Sequence, residues 1–195
     1  MTDDGAFDAR IAATYDAVHT AGDPGDIAWA VDLLAGLAGD GPALEFAIGT
    51  GRLALPLAER GVTVHGIDLS GAMIDRMRAK PGGGAIPATV GDMATTRLDR
   101  RFGLVYLAFN SITNLVSQAA QVACFRNAAD HLDPGGAFLI ETFVPPLQRL
   151  PVGETRLAFE HSETHWGIDA INTTTQAMVS HHLHLVDGAW EDFSV

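Results

Sequence analysis

The sequence predicts an α/β fold: a doubly wound, mostly parallel sheet with N-terminal helices before it and a C-terminal antiparallel meander after it. Three observations carry that expectation. Short apolar runs alternate with helical patterns five times between about residue 42 and residue 143, the rhythm of a parallel sheet with crossover helices. The first run, Ala43-Leu44-Glu45-Phe46, leads into the glycine turn Ile48-Gly49-Thr50-Gly51, and a helical pattern opens straight after it. Beyond Pro145-Pro146 the alternation stops, and strand-like runs follow one another with only turn residues between them.

Taken in order, Asp8 to Leu37 reads as helical, with apolar positions at Ile27, Val31, Leu34 and Leu37. The stretch Ala21-Gly22-Asp23-Pro24-Gly25-Asp26 divides it into two helices. Strand one covers about Pro42–Phe46 and the next helix about Arg52–Glu59; Pro56 falls near its start, where a missing N–H matters least, and Gly61 ends it. Strand two, Val62–Ile67, finishes on Asp68, and Ser70 caps a helix over Ala72–Ala79. Strand three is Ile86–Val90, before Gly91-Asp92-Met93, and strand four is Leu104–Phe109. A helix over Gln118–Leu132 stops at Asp133-Pro134-Gly135-Gly136, and strand five, Ala137–Phe143, follows. The meander reads as strands Arg156–Glu160, Ala170–Thr175, Met178–Val186 and Trp190–Val195, with Val186-Asp187-Gly188-Ala189 as a hairpin turn.

Composition narrows the function classes. The chain has 195 residues, 47% of them apolar and 18% charged, which fits one globular domain with a substantial core. The N-terminus MTDDGAFDAR is acidic and lacks the apolar stretch of a secretory signal, and no apolar run is long enough to span a bilayer. A single cysteine, Cys124, excludes an internal disulfide and falls in a helix as a small core residue, so a reducing cytoplasm is expected. A net charge of −12 disfavours phosphate backbones, so the expected partner is a small molecule rather than nucleic acid or a membrane.

The glycine loop admits two cofactors. Gly49-x-Gly51-x-x-Ala54 satisfies the dinucleotide pattern G-x-G-x-x-G/A, and Asp68 lies near the spacing expected of a ribose-binding acid. The other reading is S-adenosylmethionine, which has positive sulfonium and ammonium groups and no pyrophosphate. Glu45, four residues ahead of Gly49, separates the two, because a carboxylate beside the loop repels a pyrophosphate and favours a cation. Asp68 suits either, since one carboxylate accepts from both ribose hydroxyls. Asp92 can accept from an adenine amino group while Met93 packs on the ring.

With these residues in place the chain resembles the class I S-adenosylmethionine-dependent methyltransferases of small-molecule type. The resemblance rests on five motifs in family order between about residues 10 and 144: Glu45…Gly49-Thr50-Gly51-Arg52; Val64-His65-Gly66-Ile67-Asp68-Leu69-Ser70; Gly91-Asp92-Met93; Leu104-Val105-Tyr106-Leu107-Ala108-Phe109-Asn110-Ser111; and Leu132-Asp133-Pro134-Gly135-Gly136. It implies a Rossmann-like core and methyl transfer to an O or N atom of a small metabolite. It further implies that Glu45, Gly49 and Gly51 border the methionine end of the cofactor. Asp68 would hold the ribose, with Leu69 and Met73 flanking the adenine, and Asp92 and Met93 would address the adenine edge. Phe109 and Asn110 would lie near the sulfonium, and Tyr15-Asp16 resembles the N-terminal lid segment. On this reading residues 1–144 are the cofactor-binding core with its lid helices. Residues 145–195 are then an antiparallel extension of the same domain that covers substrate or supports a homodimer.

Two departures from the family pattern stand out. Ala47 occupies the place of the usual first glycine of the loop; a positive φ there costs about 1–2 kcal/mol, and a negative one little. The closing strands that normally follow strand five are missing from the pattern, so either the meander replaces them or the chain is a shortened family member. The catalytic base is not legible, because methyl transfer needs positioning more than a nucleophile motif. Glu141, His161 and His165 are the available groups. His161-Ser162-Glu163-Thr164-His165 lacks the zinc-site pattern H-E-x-x-H, so no metal is expected. The competing functions are an NAD(P)-dependent oxidoreductase and a catalytically impaired cofactor-binding relic.

Overall fold

The alternate residues of one short strand, Ala43–Phe46 (β1), are buried on both sides, and this places it at the centre of the sheet. A computed structural model describes residues 7–19, 24–145, 147–186 and 188–194. It shows β1 flanked by β2 (Val64–Asp68) and β4 (Phe102–Leu107), with β3 (Ala88–Val90) and β5 (Leu132–Ile140) outside them. The order is β3-β2-β1-β4-β5 with every pairing parallel. Helices α1 (Ala9–His19), α2 (Pro24–Ala38), α3 (Ala54–Glu59), α4 (Gly71–Arg78) and α5 (Gln118–His131) complete this part of the chain.

The core has two layers, one on each face of the sheet. Ala43, Val64, Leu104 and Tyr106 pack with Val31 and Leu34 of α2, Leu57 of α3 and Ile74 and Met77 of α4. Leu44, Phe46, Ile67, Val105 and Leu107 pack with Met93 and with Cys124 and Ala128 of α5. The second layer also holds a polar clamp. His131 accepts from the Leu98 N–H through Nε2 at 2.9 Å, so its Nδ1 donates to the Asn127 carbonyl at 2.8 Å. The Asn127 side chain donates to the carbonyls of Met93 (2.7 Å) and Thr96 (3.0 Å). In this way α5 holds the loop after β3 in place.

Residues 143–195 form a second compact unit, the first ending at Thr142. It is a separate antiparallel sheet in the order β6-β7-β8-β9: Arg156–His161, His165–Asn172, Ala177–Val186 and Ala189–Ser194. These strands therefore do not extend the parallel sheet. Among the described residues no helix is long and apolar enough to cross a membrane.

Several expected boundaries moved, for local reasons. Strand five starts at Leu132 rather than Ala137, because Leu132 pairs with Phe102 before an irregularity returns the ladder at Ala137↔Leu104. The Asp133-Pro134-Gly135-Gly136 turn, with Gly135 at φ +87°, is accommodated inside that irregularity. The expected strand Ala170–Thr175 is displaced: β7 runs His165–Asn172. Asn172 Oδ1 accepts from the N–H groups of Thr174 and Thr175, both at 3.0 Å, and folds the threonine-rich stretch into the turn before β8. Helix α4 begins after Ser70, whose Oγ accepts from the Met73 N–H at 3.2 Å, as the sequence predicts. The expected break at Ala21-Gly22-Asp23 and the turn position Asp187 lie outside the described residues.

Candidate functional site

In a doubly wound sheet a ligand sits beyond the carboxyl ends of the strands where the order reverses, here between β1 and β4. A cleft opens at that point, lined by Tyr15, Glu45, Ala47, Gly49, Arg52 and Phe109 among others. A larger hollow near Asp40, Gly41, Arg60 and Thr63 lies at the opposite ends of β1 and β2, the wrong end for such a ligand.

Glu45 is the most unusual group of the cleft. It is 5% exposed, and its cross-strand neighbour Tyr106, at the same register position of β4, donates its hydroxyl to Oε2 at 2.9 Å. Burial pushes the Glu45 carboxyl up to about 8; the Tyr106 bond and the Arg52 charge oppose the rise, and the Asp68 charge adds to it. Burial, with Glu45 beside it, also carries the Tyr106 phenol well above its ordinary range. Glu45 therefore stands mostly protonated at pH 7. Its part is that of an ionisable acid: a cation placed against it draws the proton off, and a pyrophosphate would hold the proton on. The first N–H of α3, that of Ala54, is aimed at the Glu45 carboxyl. The six residues of that helix begin three positions past Gly51.

The loop after β1 is held from below by Asp68. Its Oδ2 accepts from the Gly49 N–H at 2.6 Å and its Oδ1 from the Ser70 N–H at 2.8 Å, so one carboxylate joins the glycine loop to the cap of α4. Gly49 has φ +55° and Gly51 φ +79°. A Cβ on Gly51 would come within 2.7 Å of Met77 Cγ, so this glycine serves the close approach of α4 as well as the turn. Ala47 has φ +54°, the costlier of the two conformations open to it. Replacing it is expected to stabilise the chain: Ala47→Gly should gain about 0.5–1 kcal/mol, the relieved strain less the extra freedom of the unfolded glycine. A Tm about 2–3 °C higher in a thermal melt would show this, and an unchanged or lower Tm would contradict it.

Asp16 of α1, named with Tyr15 in the sequence, and Lys80, which sequence reasoning passed over, brace the same loop. Thr50 Oγ1 donates to Asp16 Oδ1 at 2.6 Å, and Lys80 Nζ donates to that carboxylate at 2.9 Å and to the Thr50 carbonyl at 2.8 Å. Partial burial opposes ionisation of Asp16, but the bonds from Thr50 and Lys80 outweigh it and hold the carboxyl below its ordinary range. Tyr15, the next residue, lines the cleft, and burial raises its phenol against the pull of Arg52. The legible signal was charge pairing: an acid in the lid segment and a lysine after α4 both need partners.

At the end of β4, Phe109 (φ +56°) and Asn110 (φ +59°) are consecutive left-handed residues. A bulky side chain there is rare, and such strain collects at ligand sites. Three bonds hold it. Glu141 Oε2 accepts from the Phe109 N–H at 2.8 Å, the Glu141 carbonyl accepts from the Asn110 N–H at 3.2 Å, and Asn110 Oδ1 accepts from Thr142 Oγ1 at 2.8 Å. Arg52 stacks over the Phe109 ring, 4.1 Å from its centroid.

Of the sequence-predicted residues, Tyr15, Glu45, Ala47, Gly49 and Phe109 line the cleft together, and Asp68 joins it through Gly49. Leu69 is exposed and Met73 buried at the start of α4, where Met73 Cε would lie 3.5 Å from a Cβ on Gly49. Asp92 accepts from the Ala94 N–H at 2.7 Å, and Met93 is a member of the core, so both are engaged in shaping their own turn. His161 and His165 belong to the second unit: His161 packs on Trp166 with ring centroids 4.9 Å apart, and His165 faces other histidines.

Comparisons with known proteins agree with this geometry. The family described as "Methyltransferase domain" matches residues 43–136, from β1 through the turn inside β5. The solved structure of the CcbJ methyltransferase from Streptomyces caelestis is 35% identical, with a TM-score of 0.80 over 94% of this chain and 77% of that one. A cypemycin N-terminal methyltransferase of a Streptomyces species is 27% identical over 161 residues, which is 80% of this chain. A dTDP-3-amino-3,6-dideoxy-alpha-D-glucopyranose N,N-dimethyltransferase of Streptomyces fradiae is 32% identical over 139 residues, 69% of this chain. The chain spans 64% and 54% of the lengths of these two curated relatives. Together the parallel sheet, the acid-lined glycine loop and these likenesses show that the chain belongs to the class I S-adenosylmethionine-dependent methyltransferase family.

Proposed function

We propose that the cleft at β1 and β4 binds S-adenosylmethionine and that the chain directs its methyl group to an amine nitrogen of a small metabolite. The observation that carries the reading is a buried acid of raised pKa on the cleft wall beside a left-handed glycine loop, a donor set that fits a cationic ligand. When bound, the cofactor supplies an activated methyl: a C–N bond forms as the C–S bond breaks, the bonding pair returns to sulfur, and the amine proton leaves to solvent. Glu45 takes the charge of the methionine end, and Arg52 offers its guanidinium to the carboxylate of the same end. Asp68 accepts from the ribose hydroxyls while keeping Gly49 in place. Leu69, Met73, Asp92 and Met93 border the adenine. Glu141 acts as a positioning residue, holding Phe109 and Asn110 where the acceptor arrives. His161 and His165 are not needed for these steps.

The choice of nitrogen over oxygen is supported by the printed activities of the two curated relatives, both of which methylate amines. We place the activity in a reducing cytoplasm, a reading supported by Cys124, a free, buried thiol. Among the described residues β6 and β9 are the outer strands of their sheet, a position that supports association with a second copy. The test is transfer of a labelled methyl group to a panel of amino sugars and peptide N-termini. Labelled product from an amine and none from the matching alcohol supports the proposal. Stabilisation by NAD(H) with no methyl transfer would favour the oxidoreductase reading instead.

A further inference from the structure

Three imidazoles that are far apart in the sequence come together on one face of the second unit. His182 and His184 are two residues apart on β8, so they share a face, and His165 of β7 pairs directly with His184 across the ladder. All three are half-buried, and one ring nitrogen from each lies within 4.8 Å of the others. The rings are stacked nearly parallel: centroids are 4.1 Å apart for His165 and His184 and 5.4 Å for His165 and His182. Nε2 of His165 and Nδ1 of His182 are 3.2 Å apart.

We infer that His165, His182 and His184 form a binding site for a divalent transition-metal ion of the zinc type. Tetrahedral coordination at 2.0–2.1 Å from nitrogen sets ligand nitrogens about 3.3 Å apart, close to the separation that His165 and His182 already have. His184 then needs a shift of roughly 1.5 Å from the 4.8 Å limit, and the stacked rings must turn about χ2 so that their in-plane lone pairs converge, both being side-chain torsions. The face is built to hold the rings. A Cβ on Gly167, which pairs with His182, would come within 2.2 Å of the Phe159 ring, so the missing side chain makes room for Phe159 to lie against the cluster. That ring is 5.2 Å from His182 and 6.5 Å from His165, an apolar wall on one side of the site. Glu191 occupies the β9 position opposite His184, the same face of the sheet, where a carboxylate favours a metal-bound imidazole. Three neutral nitrogen donors select zinc, copper, nickel or cobalt over magnesium or calcium. They also leave one coordination position for water or an outside ligand. The sequence hid the site because His165 and His182 are 17 residues apart and meet only through the β7–β8 register.

The test is titration of the untagged full chain with Co²⁺, read by visible absorption, and with Zn²⁺, read by calorimetry. Expected is a single equivalent bound, with the strong visible bands of four-coordinate cobalt. His165→Ala, His182→Ala and His184→Ala should each weaken binding more than about tenfold. His181→Ala is the control. It lies on the opposite face of β8, with Nδ1 2.8 Å from Ser194 Oγ, and should bind as the parent does. Circular dichroism of each metal-free variant shows that it folds, and the parent's cobalt spectrum needs no variant. Absence of uptake by the parent, octahedral cobalt bands, or equal weakening by His181→Ala and His184→Ala would overturn the inference.

Discussion

Glu45→Gln should remove most of the fall in ligand-free stability between pH 4.5 and pH 8. The folded-state carboxyl titrates near 8 against an ordinary value of 4.5, so in that window the folded chain holds a proton that the unfolded chain has lost. The sign follows: this group's contribution to stability is complete below pH 4.5, declines by roughly 1.4 kcal/mol per pH unit, and is exhausted above pH 8. Relative to pH 5, the variant should therefore be more stable than the parent at pH 8 by about 3–5 kcal/mol, measured by urea denaturation at both pH values. The same change should weaken S-adenosylmethionine binding about 10- to 100-fold, the worth of one charge-assisted hydrogen bond. A variant whose pH profile parallels the parent's would show that Glu45 is ionised in the folded state and that its burial has been misjudged.

Asp68→Ala should be the more damaging substitution for the folded chain. It strips the acceptor from the N–H groups of Gly49 and Ser70 and leaves the loop without its link to α4. Leaving two donors in a buried turn costs about 2–4 kcal/mol, visible as a lower denaturation midpoint with an unchanged slope. Cofactor affinity should fall more than about 100-fold, because the loop and the ribose acceptor are lost together. Asp68→Asn keeps one acceptor and should recover part of the stability. Full stability in Asp68→Ala, with loss of binding alone, would assign Asp68 to the ligand and not to the loop.

How legible all this was depended on the range of the interaction. The parallel sheet was readable because each strand carries its own apolar run and each turn its own chemistry; Ser70 as a cap and Gly49-x-Gly51 as a loop are local facts. The acid at Glu45 was visible, but its state was not. That depends on Tyr106, which meets it only through the β1–β4 register, and on complete burial. A buried acid requires a donor, and a tyrosine inside an otherwise apolar strand was the available signal. The Ala47 question turned on a single dihedral angle that no composition or spacing encodes. Asp16, Thr50 and Lys80 come from separate stretches of the chain, so Asp16 was visible beside Tyr15 but its bonds to Thr50 and Lys80 were not. In the second unit the β7 error came from weighing β-branched threonines above the turn chemistry of Asn172. That error also concealed the strand on which His165 stands.

The central claim is that a protonated acid in the cleft releases its proton to solvent when a cationic cofactor binds against it. Calorimetric titration of S-adenosylmethionine into the chain at pH 7, repeated in buffers of different ionisation enthalpy, tests it most directly. The account predicts saturable binding with release of close to one proton per cofactor bound, and affinity that rises with pH between about 5 and 7.5. Binding without proton release, or tighter binding of NADH than of S-adenosylmethionine by the folded chain, would contradict it.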